Sequence, residues 1–232
     1  MITHDKLLNV SVDCVIFGYQ DNQLYVLLIE QEKLKENHMP LSALPGDHII
    51  TGEDLDTAAN RVLKGLTGID GVYLKQFKAF GNPDRTKKEK DRIWLYKVRE
   101  NPEEQVITIG YYALIQMDKT NLTPSSFAKR AYWINVKEIP NLAFDHNEIC
   151  NEALQQLRKD AESFYISCEL LPEKFTLTQL QSLYEAILDK KLDKRNFRKN
   201  AKKMKALICL NEKQKGVSHK PALLYTIESK EV

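Results

Sequence analysis

The sequence predicts an α/β domain followed by a small winged helix-turn-helix domain, and three observations carry that prediction. Through the first part of the chain, β-branched and apolar runs alternate with one strongly amphipathic helical stretch. Beyond residue 174 the pattern changes to a capped helix, a short break, a basic helix and a hairpin. Charge is divided in the same way. Residues 171–232 hold 14 Lys and Arg against 7 Asp and Glu, a net charge of +7, which leaves −5 on the first 170 residues. The whole-chain balance of +2 hides this split, which points to one domain that meets a polyanion beside one that does not.

Composition sets the outer bounds. A chain of 232 residues with 43% hydrophobic content has a sizeable core and no disordered character, and is long enough for two domains. Its first nine residues lack an apolar signal-peptide core, and no apolar run is long enough to span a bilayer. A soluble, cytoplasmic protein with no membrane partner is expected. Cys14, Cys150, Cys168 and Cys209 are widely spaced, so neither a zinc site nor a disulfide framework is expected.

Residues 10–17 (VSVDCVIF) and 23–29 (QLYVLLI) read as two strands of a hairpin, separated by turn residues at 18–22. Residues 44–70 then form a loop, a helix and a glycine stop. Leu55, Ala58, Ala59, Val62, Leu63 and Leu66 follow helical spacing, and Gly68 ends the helix. Residues 72–79, 93–98, 106–117 and 131–136 read as further strands, the second of them within an inserted charged segment at 87–105. From Asp145, placed as the N-cap with Glu148 three residues on, Ile149, Ala153, Leu154 and Leu157 mark a closing helix. Residues 161–174, with Leu170-Leu171-Pro172, are the expected linker, dividing the chain into domains 1–163 and 164–232.

In the second domain, Thr178 and Gln181 form a Thr-x-x-Gln capping box, and Leu180, Leu183, Tyr184, Ile187 and Leu188 give one apolar face. Asp193 caps a second helix expected to run to Ile208, with Phe197, Ala201, Met204 and Ile208 inward. Residues 209–227 then read as a hairpin around a basic loop. A basic helix alone is commonly a solvated face. Here the capped helix before it, the hairpin after it and the acidic partner domain favour DNA. Arg195, Asn196, Arg198 and Lys199 are placed to reach base edges. Lys194, Lys202, Lys203 and the wing lysines Lys213, Lys215 and Lys220 are the candidate phosphate contacts.

The stretch 44–70 resembles the Nudix box, Gly-x5-Glu-x7-Arg-Glu-U-x-Glu-Glu-x-Gly-U with U a bulky aliphatic. Glu53, Arg61, Leu63, Gly68 and Ile69 fall on its frame, whereas the three metal-binding glutamates correspond to Val62, Gly65 and Leu66 and the opening glycine to Asp47. Hard divalent cations need oxygen ligands, and without them they neither activate water nor neutralise phosphate. The resemblance therefore implies a Nudix-like α/β/α sandwich with no metal, no catalytic residues and no hydrolase activity, held by a structural Glu53–Arg61 ion pair. The rival reading is a noncanonical hydrolase recruiting Glu53, Asp54 or Asp56.

The whole chain resembles the Nudix-related transcriptional regulators, most specifically through the disabled box, residues 175–187 with 193–199, and Ala143-Phe144-Asp145-His146. The resemblance implies a homodimeric repressor that binds operator DNA and senses a small molecule, either an ADP-ribose-like nucleotide or a sugar, without a cofactor. Loss of the metal clamp tilts the expectation toward a sugar or sugar derivative. His48, Asp84, Arg85, Asp145 and His146 are the candidate effector contacts, although a carboxylate before a helix is often only a cap and a lone histidine often only structural.

Overall fold

The structure, a computed structural model, describes residues 9–31, 41–88, 91, 95–96, 104–117, 120–162, 170–218 and 220–227. The chain divides into two compact units. The first holds most residues up to Leu154; the second runs from Gln155 onward and includes Gly18–Leu24 and Leu114–Asp118. The expected domain boundary at 163/164 and the core of the expected linker fall outside the described residues.

The first part of the chain builds β1 (Asn9–Gln20), β2 (Gln23–Gln31), β3 (Ser42–Ala43), β4 (Gly46–His48), α1 (Leu55–Thr67), β5 (Lys75–Phe80), β6 (Val106–Gln116), β7 (Ala128–Asn135) and α2 (His146–Glu162). The strands form one sheet in the order β3-β2-β1-β6-β5, with β4 also pairing β1 and β7 also pairing β2. The turn between β1 and β2 is shorter than the sequence suggests. Asp21 and Asn22 both take positive φ, 50° and 61°, the two-residue geometry that matches strand twist. Cys14 through Phe17 and Val26 through Leu28 are all wholly buried, and each fully buried large apolar side chain contributes about 1.5–3 kcal/mol.

α1 forms where the apolar spacing places it. The Asp54 carboxylate accepts the Thr57 N–H, and Gly68, at φ 83°, donates its own N–H to the Lys64 carbonyl. A Cβ on Gly68 would also press on the backbone of Thr123, so glycine is required for two reasons. The strand expected over 93–98 is not found where it is described: Leu95 and Tyr96 are helical, and the other four positions lie outside the described residues. Leu95 is buried and Tyr96 exposed, a division that a single turn of helix supplies as well as a strand does.

The second domain is built from β8 (Phe175–Thr176), α3 (Leu177–Leu188), α4 (Lys194–Ala201), β9 (Leu207–Lys213) and β10 (Leu223–Ile227), with its three strands ordered β8-β10-β9. Two expectations are corrected here. The capping box is Thr176 with Gln179, not Thr178 with Gln181. Thr-x-x-Gln occurs twice in this segment, and the pairing of Thr176 with Leu224 holds the first threonine in the extended conformation an N-cap needs. The basic helix ends at Ala201 rather than Ile208. Residues 207–213 are drawn into the wing, where Ile208 pairs with Thr226 and is 40% exposed.

No helix among the described residues is long and apolar enough to cross a membrane.

Candidate effector cleft and nucleic-acid interface

In the first unit, four ionisable side chains from three distant segments converge. β1 supplies Asp13, the one charged residue of that strand. β4 runs antiparallel to it with Gly46 opposite. A Cβ at Gly46 would overlap the Asp13 carboxylate, so the close strand approach depends on glycine. A turn closed by the Arg85 N–H on the Asn82 carbonyl, 3.1 Å, brings in Arg85. The start of α2 supplies Asp145 and His146.

Arg85 lies at the centre of this group. Its Nε and Nη2 donate to the two oxygens of Asp145 at 2.9 and 2.7 Å, and Nη2 also faces Asp13 Oδ2 at 3.4 Å. The Arg85 side chain is only 4% exposed. Burial works against its charge, but Asp145 and Asp13 outweigh burial and raise its pKa. His146 Nδ1 accepts the Leu44 N–H at 2.9 Å, so the ring proton belongs on Nε2, which lies 3.5 Å from Asp13 Oδ1. Burial pushes the His146 pKa down and keeps the ring neutral at pH 7.

Asp13, Arg85 and His146 line a narrow cleft of about 50 Å³ together with His48, Asp47 and the rings of Phe127 and Phe144, and Asp145 borders it through its ion pair with Arg85. Four of the five candidate effector residues, His48, Arg85, Asp145 and His146, thus belong to or border one site. Asp84 does not join them: its exposed carboxylate binds Lys87 at 2.7 Å. Asp145 occupies the cap position and its carbonyl accepts the first helical N–H groups, but its carboxylate is taken by Arg85.

Sequence reasoning missed Asp13, Gly46 and Phe144. The signal for Asp13 was an acid within VSVDCVIF, which needs a buried partner. Phe144 has φ 57°, a left-handed conformation that costs an aromatic residue about 1–3 kcal/mol. It is restrained from both ends: its N–H donates to Asp91 Oδ1 at 2.8 Å and its carbonyl accepts from Lys88 Nζ at 3.4 Å. Beyond Phe144 and Asp145 lies a second, open depression of about 480 Å³, bordered by Lys88, Pro140 and Glu148.

The Nudix-like frame is intact beside the cleft. Arg61 donates from Nε to Glu53 Oε2 at 2.9 Å, from Nη2 to Glu53 Oε1 at 2.6 Å, and from Nη2 to the His48 carbonyl at 2.8 Å. The Arg61 guanidinium lowers the Glu53 pKa to about 2. Val62 and Leu66 are each only 2% exposed. The segment after residue 120 lies along this end of α1, with Ser125 N–H on the Gly65 carbonyl and Thr123 N–H on the Thr67 carbonyl, both 2.9 Å. Among the described residues no three His, Cys, Asp or Glu side chains cluster as a metal site.

In the second domain, Asp193 caps α4 by accepting the Asn196 N–H at 2.8 Å. Gln181 and Glu185 of α3 hold the preceding turn by binding the Leu192 carbonyl and N–H, both at 2.9 Å. Phe197 packs its ring on Tyr184 at 5.5 Å. With that face buried, Lys194, Arg195, Asn196 and Lys199 are exposed along the helix. Arg198 is half-buried, with its Nε enclosed and without a partner. Lys202 and Lys203 lie in the turn after the helix, and Lys213, Lys215 and Lys220 are exposed on the wing. A short capped helix with a free basic face and a flanking hairpin is suited to the major groove, with the lysines beside it on phosphates.

Residues 167–227 match the family model of the NrtR DNA-binding winged helix domain. The chain is 29% identical over 220 residues to the ADPR responsive transcriptional repressor NtrR of Acinetobacter baylyi, covering 93% of this chain and 80% of that protein. It superposes with TM-score 0.71 on Shewanella oneidensis NrtR complexed with a 27mer DNA, at 26% identity over 94% of this chain and 93% of the other. The Nudix domain of the same Shewanella protein, complexed with ADP ribose, superposes with TM-score 0.51 at 25% identity, covering 68% of this chain and 93% of that domain.

Proposed function

We propose that this chain, whose Nudix-like α/β domain and C-terminal winged helix give it NrtR-like architecture, is a DNA-binding transcriptional repressor whose Nudix-like domain responds to ADP-ribose. The observation that carries this reading is the likeness, over nearly the whole chain, to NrtR crystallised on DNA. The Acinetobacter relative, described as ADPR responsive, and the Shewanella domain holding ADP ribose support the nucleotide over the sugar favoured by the sequence. Loss of the metal clamp does not count against a nucleotide, because a regulator has no need to polarise the diphosphate and a buried arginine in the cleft can meet its charge.

In this reading the protein is a homodimer that reads inverted half-sites. Arg195 and Asn196 in the first turn of α4 face base edges, with Arg198 and Lys199 behind them. Lys194, Lys202, Lys203, Lys213, Lys215 and Lys220 hold the backbone. The nucleotide is bound and released unchanged, since the positions that would carry metal ligands are Val62, Gly65 and Leu66.

Selection from random duplexes, with and without ADP-ribose, tests the reading. An inverted repeat should be enriched, and ADP-ribose should change its affinity by about 5- to 150-fold, the usual range of allosteric coupling. Absence of any enriched repeat would leave a basic module for an acidic protein surface. Glu53-dependent turnover of ADP-ribose in Mg²⁺ or Mn²⁺ would overturn the assignment of the domain as a sensor alone.

A further inference from the structure

The effector cleft is too small for the ligand assigned to it. Sites for small molecules of nucleotide size enclose roughly 300–1,000 Å³, whereas the cleft around Arg85 encloses about 50 Å³, room for little more than water. The depression on the other side of Phe144 and Asp145 measures about 480 Å³ but is open to solvent. Phe144 borders both spaces. The Arg85–Asp145 ion pair joins a residue lining the first to one lining the second.

We infer that Phe144 and the Arg85–Asp145 pair form a removable partition, and that an anionic nucleotide binds in the single chamber created when the partition opens. Three features identify the partition as the movable part. Phe144 is held in a left-handed conformation, and release lets its backbone relax into a favourable region. Its backbone is held by hydrogen bonds to the side chains of Asp91 and Lys88 rather than by strand pairing. Arg85 keeps a second carboxylate, Asp13, when Asp145 leaves, so opening does not strip it of all compensation. An uncompensated buried guanidinium is the costly outcome, and a phosphate arriving as Asp145 departs replaces one anion by another. A neutral sugar offers no such exchange, so the partition also selects for charge.

The inference rests on the ADP-ribose reading, and the two fail differently. With the full-length wild-type chain, hydrogen exchange followed with and without ADP-ribose should show faster exchange at the amides of residues 146, 148 and 149, which the carbonyls of residues 143 and 145 now hold, together with protection elsewhere in the domain. Asp145→Asn should bind ADP-ribose on the order of tenfold more tightly, because a competent state that is rare in the wild type becomes common. Adenosine, which brings no phosphate to Arg85 in exchange for Asp145, should bind the wild type much more weakly than ADP-ribose. Binding by the wild type with slower exchange at these three amides would overturn the partition while leaving the sensor reading intact, as would equal or weaker binding by a folded Asp145→Asn. No binding of ADP-ribose by the wild type would overturn both. The exchange measurement needs no variant, so misfolding of Asp145→Asn leaves the outcome decided.

Discussion

Arg85 grips Asp145 with two nitrogens at 2.9 and 2.7 Å across sixty residues of sequence, and the pair is almost fully enclosed. A contact of this kind fixes where α2 begins. It also explains why Asp145, which looks like an ordinary cap in sequence, has its carboxylate aimed away from its own helix.

Replacing Arg85 by Ala leaves Asp13 and Asp145 facing each other without a cation. The loss expected is about 3–5 kcal/mol, the usual consequence of removing one partner from a buried pair. Urea unfolding of the two proteins at pH 7 measures it, and a loss below about 1 kcal/mol, the range of solvent-exposed pairs, would show that solvent already reaches the site.

Gly46→Ala inserts a methyl group where the Asp13 carboxylate lies. Destabilisation of about 1–3 kcal/mol is expected from overpacking, with the midpoint of denaturation lowered and its slope unchanged. The same exchange at Gly65, whose nearest neighbour would be Ser126 Cβ at 4.0 Å, should be neutral or mildly stabilising through helix propensity.

The Glu53–Arg61 pair predicts a pH dependence of definite sign. The folded pKa of Glu53 is lowered from 4.5 to about 2, first by the Arg61 hydrogen bonds and also by the Ile50 N–H. Its contribution to stability is therefore complete above about pH 4.5 and disappears as pH falls toward 2. Glu53→Gln should lower the melting temperature at pH 7 and flatten the acid side of the stability profile. Identical acid limbs in the two proteins would refute the assignment.

Two threonines separate the possible registers of α3. Thr176→Ala should cost about 1 kcal/mol, as for other lost N-caps, while Thr178→Ala, at an exposed position within the first turn, should cost much less. Thermal melts of the two variants decide between the registers.

On DNA, Arg195→Ala should cost about 1–3 kcal/mol on the preferred site and blunt discrimination, whereas Lys203→Ala should weaken all sequences alike and reduce the salt slope by about one contact. Fluorescence anisotropy across a salt series reads both. Because Lys203 follows the helix instead of continuing it, any loss of sequence preference in its variant would move base reading to the turn.

Local chemistry made α1 and its glycine stop legible in the sequence, and the resemblance to the Nudix box supplied the Glu53–Arg61 pair, since each depends on residues no more than about one loop and helix apart. The end of α4 was not. AKKMKALI continues a plausible helical period, and only the pairing of Leu207 with Ile227 and of Cys209 with Tyr225 draws these residues into a strand. The capping box was ambiguous because the motif repeats two residues later. The cleft was half legible: Arg85 and His146 stood out as polar candidates, but nothing near Asp13 in the sequence reveals a guanidinium 72 residues away. Asp84, beside Arg85 in the chain, faces solvent because a turn sends consecutive side chains in different directions.

The burial of Val62 and Leu66, each only 2% exposed, has a consequence for descent. In a working hydrolase, carboxylates at these positions are compensated by metal. Here the helix face is closed, so a single reversion to glutamate would enclose a charge with no cation and no water. The steps at Val62 and Leu66, each harmful on its own, would have to precede any gain. If the ancestor was an enzyme, this lineage has crossed a one-way threshold. Its binding preferences remain free to drift, while the return to catalysis is barred by packing.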